Sequence, residues 1–257
     1  MRQKKTRLDC VKILSSMSLG VSLMKLTKKQ PKIPLIQLIG KVRLVICLII
    51  IVAIAIIGPQ LEGTREVPWD IQFLYWLHTV IPPSMGEILK IIYIVTGASV
   101  TAFVVLGTLG YLIWKRYWEE AKYLVFAALG ILLLIDQILK PIFGRIRPGS
   151  FSESLASLVS VNGKSFPSGH AAGSVVFYFY VAFLLATHFP HFKKYIYSGA
   201  IFWVGLVGLS STYCRVHWAT DILAGYSVGF VWLSVALTLL KRADSQTYFF
   251  PNSQLKL

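Results

Sequence analysis

Negative charge is what this 257-residue chain has least of: 11 Asp and Glu stand against 26 Lys and Arg, for a net charge of +15. Charged residues of both signs reach only 14%, while hydrophobic residues make up 55%. That balance excludes an ordinary soluble domain, in which about a quarter of residues are charged. Cysteine is also scarce. Cys10, Cys47 and Cys214 are odd in number and lack ligand spacing, which argues against a disulfide framework and a zinc site. No metal and no cofactor is expected. The positive excess does not point to nucleic acid, because eleven of the 26 cations lie before residue 44, just ahead of the first long apolar run. A basic segment in that position sets topology and meets anionic head groups.

What the chain does have is long apolar runs, several approaching the roughly 20 residues that cross a bilayer core. Six spans are expected, at about 42–58, 89–114, 123–139, 170–187, 195–210 and 222–240, giving an all-α, six-transmembrane-helix bundle. Three regions follow: a basic N-terminal segment over 1–41, a membrane domain over 42–242 and a polar tail over 243–257. Residues 1–41 read equally as an amphipathic helix in the lipid interface or as a topology-setting tail. The stretch Ile13 to Met24 has a weak apolar core and no clean cleavage site, so it is expected to be retained. Between the first two spans, the aromatic segment Trp69 to His78 suits a short helix on the membrane surface, with Asp70 as a capping residue near its start. His78 is expected to be structural, and Asp136 to pair with Lys140 four residues on.

Positive charge chooses the side. The N-terminal segment, the turns at 115–122 and 193–194, and the tail share one face and hold nineteen of the 26 cations. That face should be cytoplasmic, with both termini on it, in a multi-pass protein of the cytoplasmic membrane. The remaining seven cations fall on the opposite face, most of them around three polar stretches, which places the candidate site at the extracytoplasmic surface.

The first stretch runs from Lys140 to Pro148 and carries Lys140, Arg145 and Arg147 between prolines. An ammonium supplies a point charge and two guanidinium forks suit phosphate oxygens. The second, Pro167-Ser168-Gly169-His170, opens an apolar run and reads as a helix N-terminus, where free N–H groups and the helix dipole favour an anion. Ser168 can donate to phosphate, Gly169 allows close backbone approach, and His170 is placed to protonate a leaving oxygen. The third places His217 and Asp221 four residues apart, stacked on one helical face, so that the carboxylate orients the imidazole and leaves the other ring nitrogen as a nucleophile. Each stretch alone has a bland reading: snorkelling cations, an ordinary helix start, a structural His–Asp pair.

Together, Lys140-x6-Arg147-Pro148, Pro167-Ser168-Gly169-His170 and His217-x3-Asp221 resemble the three motifs of the type 2 phosphatidic acid phosphatase superfamily, in order and at similar intervals. The resemblance covers about residues 70 to 240. It implies a metal-independent phosphomonoesterase or diphosphatase at the outer membrane face, working through a phosphohistidine. It assigns His217 as nucleophile, Asp221 as its orienting partner, His170 as general acid, and Lys140, Arg147, Ser168 and Gly169 as phosphate binders. One departure stands out. The third motif of that family usually begins Ser-Arg, and the arginine position is Ser211 here, while Arg215 occupies a position that is often glycine. In a continuous helix, 211 and 215 lie on one face about 6 Å apart along the axis, so Arg215 is expected to replace the missing fork in part.

The expected function is therefore an integral-membrane lipid phosphate phosphatase acting on a substrate such as phosphatidic acid. Its partners are that lipid phosphate and the surrounding membrane lipids, with no nucleic acid. Undecaprenyl diphosphate is the rival substrate. A relative that binds lipid phosphate without turning it over, and a phosphotransferase, are the other readings.

Overall fold

The computed structural model describes residues 40–61 and 67–244. Most of the basic N-terminal segment, including Ile13 to Met24, lies outside the described residues, as do Arg65 and most of the polar tail.

Every regular element among the described residues is helical. The first is α1 (Lys41–Ile57), which runs into a 3-10 turn at Gly58–Leu61. Next come α2 (Pro68–Val80), α3 (Pro83–Val95) and α4 (Ala98–Trp114). Then α5 (Trp118–Leu133) continues through a π-helical stretch, Leu134–Leu139, into the short α6 (Lys140–Phe143). After α7 (Pro148–Phe151) and a loop come three long helices: α8 (Gly169–His188), α9 (Lys193–Tyr213) and α10 (Ala219–Ala243).

Five helices or helix runs among the described residues are long and apolar enough to cross a membrane, and α3 with α4 forms a sixth candidate bent by 55°. That bend corrects the expectation of one continuous span over 89–114, and its cause is local. The Thr96 hydroxyl donates to the Ile92 carbonyl at 2.7 Å, and Thr101 Oγ1 donates to the Thr96 carbonyl at 3.0 Å. Gly97 then adopts an extended conformation as the cap of α4. The Thr96 hydroxyl shares the Ile92 carbonyl with its own backbone N–H, while Thr101 Oγ1 occupies the Thr96 carbonyl, an acceptor that a continuing helix would give to a backbone donor.

At the centre, α8 packs against α5, α9 and α10, and the core they share includes Leu124, Ile131, Val176, Tyr180, Val228 and Leu240. The α8–α10 contact depends on absent side chains. A Cβ placed on Gly225 would lie 2.5 Å from the Ser168 carbonyl oxygen, and one on Gly229 would lie 2.7 Å from that of Ala172. Small residues let two backbones approach in this way. Because Ser168 caps α8 and α10 begins two residues after His217, this close pairing carries the second polar stretch to the third. By contrast α1 leaves most of its apolar surface exposed, as a helix facing lipid would.

Candidate active site

Local backbone chemistry sets the positions of the catalytic candidates. His217 is not on a helix. α10 starts at Ala219 with Trp218 as its N-cap, and Asp221, at the third helical position, reaches back to accept from the Trp218 backbone N–H at 3.0 Å. The His217–Asp221 pair is therefore built by a capping turn rather than by stacking on one helical face, as the four-residue spacing suggested. The outcome is the same contact: His217 Nδ1 lies 3.5 Å from Asp221 Oδ2. Ser165 completes this corner. Its hydroxyl donates to Asp221 Oδ2 and lies 3.4 Å from His217 Nδ1.

On the opposite side of the imidazole, Arg147 Nη1 stands 3.4 Å from Nε2. Apart from that contact, Arg147 is held by backbone carbonyls: Val216 at 2.8 Å, Gly163 at 3.1 Å, Asn162 at 3.2 Å and Lys164 at 3.3 Å. Among the described residues no carboxylate bonds it, so its charge is available to an anion beside Nε2.

Motif one meets motif two at Lys140. Its ammonium pairs with Asp136 at 2.6 Å, as the spacing suggested, and a Cβ on Gly169 would sit 3.9 Å from Nζ. Motif two meets motif three through Ser168, whose backbone N–H donates to the Asp221 carbonyl at 3.0 Å. Ser168 is buried and its Oγ accepts from the Ala171 N–H at 3.3 Å as the α8 cap. Helix α8 thus presents its N-terminus beside Lys140, an arrangement suited to an anion. His170 stacks on Tyr93 with ring centroids 4.8 Å apart, and its buried Nε2 has no hydrogen-bond partner among the described residues. It lies within electrostatic reach of His217, Lys140 and Arg147.

Two expected phosphate ligands go elsewhere. Arg145 is only 2% exposed and is committed to two carboxylates, Asp221 Oδ1 at 2.7 Å and Asp70 Oδ2 at 2.8 Å. Its fork is spent on the protein. Arg215 is not one helical turn from residue 211, because α9 ends at Tyr213 and Arg215 turns left-handed at φ 55°. Its Nη1 donates instead to the Ser154 carbonyl at 3.1 Å. Ser211 is fully buried and bonds back to Val207 within α9.

Asp70, Ser165 and Tyr93 were not anticipated at the site. Asp70 is not a cap, since Val67 caps α2; it is fully buried and faces Arg145 and Thr220. Its one sequence signal was a carboxylate inside an otherwise aromatic and apolar segment. Ser165, two residues before Pro167, and Tyr93, in mid-helix, offered none.

Electrostatics follow from burial. Withdrawal from water lowers the pKa of His217 below its ordinary 6.5, and the hydrogen bond to Asp221 offsets part of that shift. The imidazole is neutral at pH 7. Arg147 can only donate, so Nε2 accepts and carries the lone pair, while Nδ1–H faces Asp221. The arrangement offers an oriented nitrogen nucleophile, cations beside it and a second imidazole near by.

Comparison with known proteins gives this geometry a family. The model of the PAP2 superfamily matches residues 120–244. Phosphatidylglycerophosphatase B of Bacillus subtilis (strain 168) is 30% identical over 153 residues, which cover 57% of this chain and 71% of that protein. The chain belongs to the PAP2 superfamily. Another relative, a lipid A 4'-phosphatase of Porphyromonas gingivalis, is 29% identical over 150 residues, covering 54% of this chain and 60% of its own length. The crystal structure of a transmembrane PAP2 type phosphatidylglycerolphosphate phosphatase from Bacillus subtilis shares the fold, with a TM-score of 0.62 at 24% identity, over 80% of this chain and 98% of that one. PAP2 membership and the apolar helices together make this a multi-pass membrane protein of the PAP2 phosphatase type.

Proposed function

We propose that the protein hydrolyses the terminal phosphate of a glycerophospholipid phosphate, by way of a phosphohistidine and without a metal, at the outer face of the cytoplasmic membrane. The observation that carries this reading is the pair of contacts on His217: Asp221 at Nδ1 and Arg147 at Nε2. In the first step, the Nε2 lone pair attacks phosphorus and the ester P–O bond breaks. The departing lipid oxygen takes a proton from His170, releasing the alcohol. In the second step, water attacks the phosphorus of phosphohistidine, His170 takes its proton, and the N–P bond breaks to release phosphate. Lys140, Arg147, the N–H of Gly169 and the Ser168 end of α8 bind the phosphoryl oxygens. Counting α3 and α4 as one bent span gives six spans with both termini cytoplasmic.

The names of two relatives support phosphatidylglycerophosphate ahead of phosphatidic acid, the substrate expected from sequence alone. The test is phosphate release from a panel of lipid phosphates in EDTA: phosphatidylglycerophosphate, phosphatidic acid, an isoprenyl diphosphate and a lipid A 4'-phosphate. The expected result is metal-independent release, fastest from phosphatidylglycerophosphate, and abolished in His217→Ala. Release that needs a divalent metal, or that survives His217→Ala, overturns the mechanism. Preference for another lipid overturns the substrate assignment.

A further inference from the structure

Beneath the candidate nucleophile lies a buried charge cluster that joins Asp221 and Arg145 to a carboxylate outside the three motifs, Asp70. Arg145, from the link between α6 and α7, donates from Nη2 to Asp70 of α2 and from Nη1 to Asp221 of α10. Thr220 ties Asp70 to the same guanidinium nitrogen that holds Asp221: its Oγ1 accepts from Arg145 Nη1 at 2.6 Å and donates to Asp70 Oδ2 at 2.5 Å. The Thr220 backbone N–H donates to Asp70 Oδ1 at 3.0 Å. Trp218 covers the group, with Arg145 5.4 Å from its ring centroid. Both carboxylates are fully buried and Arg145 nearly so.

Two carboxylates on one guanidinium leave the cluster with a net charge of −1. That sum matters for His217. If Arg145 faced Asp221 alone, the pair would be neutral, and the carboxylate beside Nδ1 would contribute little net field to the ring. Attack by Nε2 on phosphorus puts positive charge on the imidazole. A net negative group behind it stabilises that charge more than a neutral ion pair would, in a site where water does not screen it. Asp70 supplies the surplus charge.

We infer that Asp70 is a positioning residue for this reaction. Through Arg145 and Thr220 it holds Asp221 in register with His217, and it keeps the support behind the nucleophile negative. This rests on the reading of His217 as nucleophile given above. Besides Asp221, the groups facing His217 are Arg147 and Lys140 from the first polar stretch, His170 of α8, and the Ser165 hydroxyl. Cys214 lies in the same turn, and Tyr93 of α3 stacks on His170. Asp70 and Arg145 contact none of the expected phosphate positions, so their effect on the ring is transmitted by charge and by Asp221.

Single-charge changes test the sum by its sign. Asp70→Asn keeps the shape and raises the cluster to zero; Arg145→Gln lowers it to −2. The readout is the acid limb of kcat/KM on one lipid phosphate, with KM and kcat separated. The substrate's own ionisation is common to all variants and cancels. Asp70→Asn is expected to move the limb to lower pH by about half a unit or more, and Arg145→Gln to move it to higher pH by a similar amount. The double variant Asp70→Asn/Arg145→Gln, back at −1, is expected to return the limb towards its original position. In Asp70→Asn, kcat should fall about 10-fold or more with KM little changed.

A purely structural role would lower the amount of folded protein, leave the limb in place and make the double variant the worst of the three. Limbs that stay fixed, or that move the same way in both single variants, overturn the inference. Should Asp70→Asn fail to fold, the direction of the limb in Arg145→Gln decides it. His217→Ala runs alongside: activity surviving there sinks the mechanism itself, whereas an inactive His217→Ala with an unshifted Asp70→Asn sinks only the role given to Asp70.

Discussion

Arg147 and His217 meet at Nη1 and Nε2, 3.4 Å apart, on the side of the imidazole away from Asp221. A guanidinium cannot accept a hydrogen bond, so the contact assigns the ring tautomer as well as the location of positive charge. The nitrogen that would attack phosphorus and the cation that would hold its oxygens are neighbours before any substrate arrives.

Replacing Arg147 with Lys keeps the charge and discards the fork. Four carbonyls, those of Asn162, Gly163, Lys164 and Val216, now share this guanidinium. An ammonium cannot reach them and the phosphate together. The expected loss in kcat/KM is roughly 10²- to 10³-fold, the worth of one charge-assisted transition-state contact of about 2–4 kcal/mol. Steady-state kinetics on one lipid phosphate measures it, and a loss under about 5-fold would mean that the fork is not used in this way.

The acid limb of activity should fall below pH 6.5. Burial depresses the His217 pKa beneath that value, so the nucleophile stays neutral as the pH drops through the usual imidazole range. Stability follows the same sign. A depressed native pKa contributes stability that is complete above 6.5 and is lost as pH falls towards the native value, because the unfolded chain then binds the extra proton. A pH–rate profile corrected for substrate ionisation, with the limb at 6.5 or higher, would contradict this.

Arg215→Ala is expected to cost less than about 3-fold in activity, since the side chain is bonded to Ser154 and sits on a left-handed turn beyond the end of α9. Arg215→Gly should add up to about 1 kcal/mol of stability by relieving φ 55°, less whatever the Ser154 contact contributes. Thermal unfolding in detergent and phosphate release, run on both variants, check the two halves separately. A 10²-fold fall in Arg215→Ala would restore the idea that this arginine replaces the one absent at Ser211.

Gly229→Ala should destabilise the bundle by about 1–3 kcal/mol. The added Cβ would lie 2.7 Å from the Ala172 carbonyl and 3.0 Å from Val175 Cβ, so α8 and α10 must separate. That separation would also draw Ser168 from the Asp221 carbonyl, and activity per folded molecule should fall with stability. Unfolding midpoints paired with specific activity show whether the two move together.

Much of this is legible in the sequence. Apolar runs carry their own length, and a bilayer-spanning helix satisfies its backbone within itself, so spans can be read one segment at a time. The Lys140–Asp136 pair is local for the same reason, four residues apart on continuous helix. Reading failed where a helix stopped. Thr96 and Gly97 broke a run that hydropathy made continuous, and the end of α9 at Tyr213 turned Arg215 away from the face that helical spacing assigned it.

The sequence by itself determined the membrane class, the helical architecture and the three groups of residues from which the site is assembled, because residue type and short spacing are properties of one segment. Tertiary structure alone decided how the cations are divided. Arg145 and Arg147 are two residues apart and chemically identical. One is buried between Asp70 and Asp221, which come from helices distant in the chain; the other is held by carbonyls and keeps its charge beside His217. Which guanidinium is neutralised depends on carboxylates that arrive only when α2 and α10 pack, and no local pattern records that.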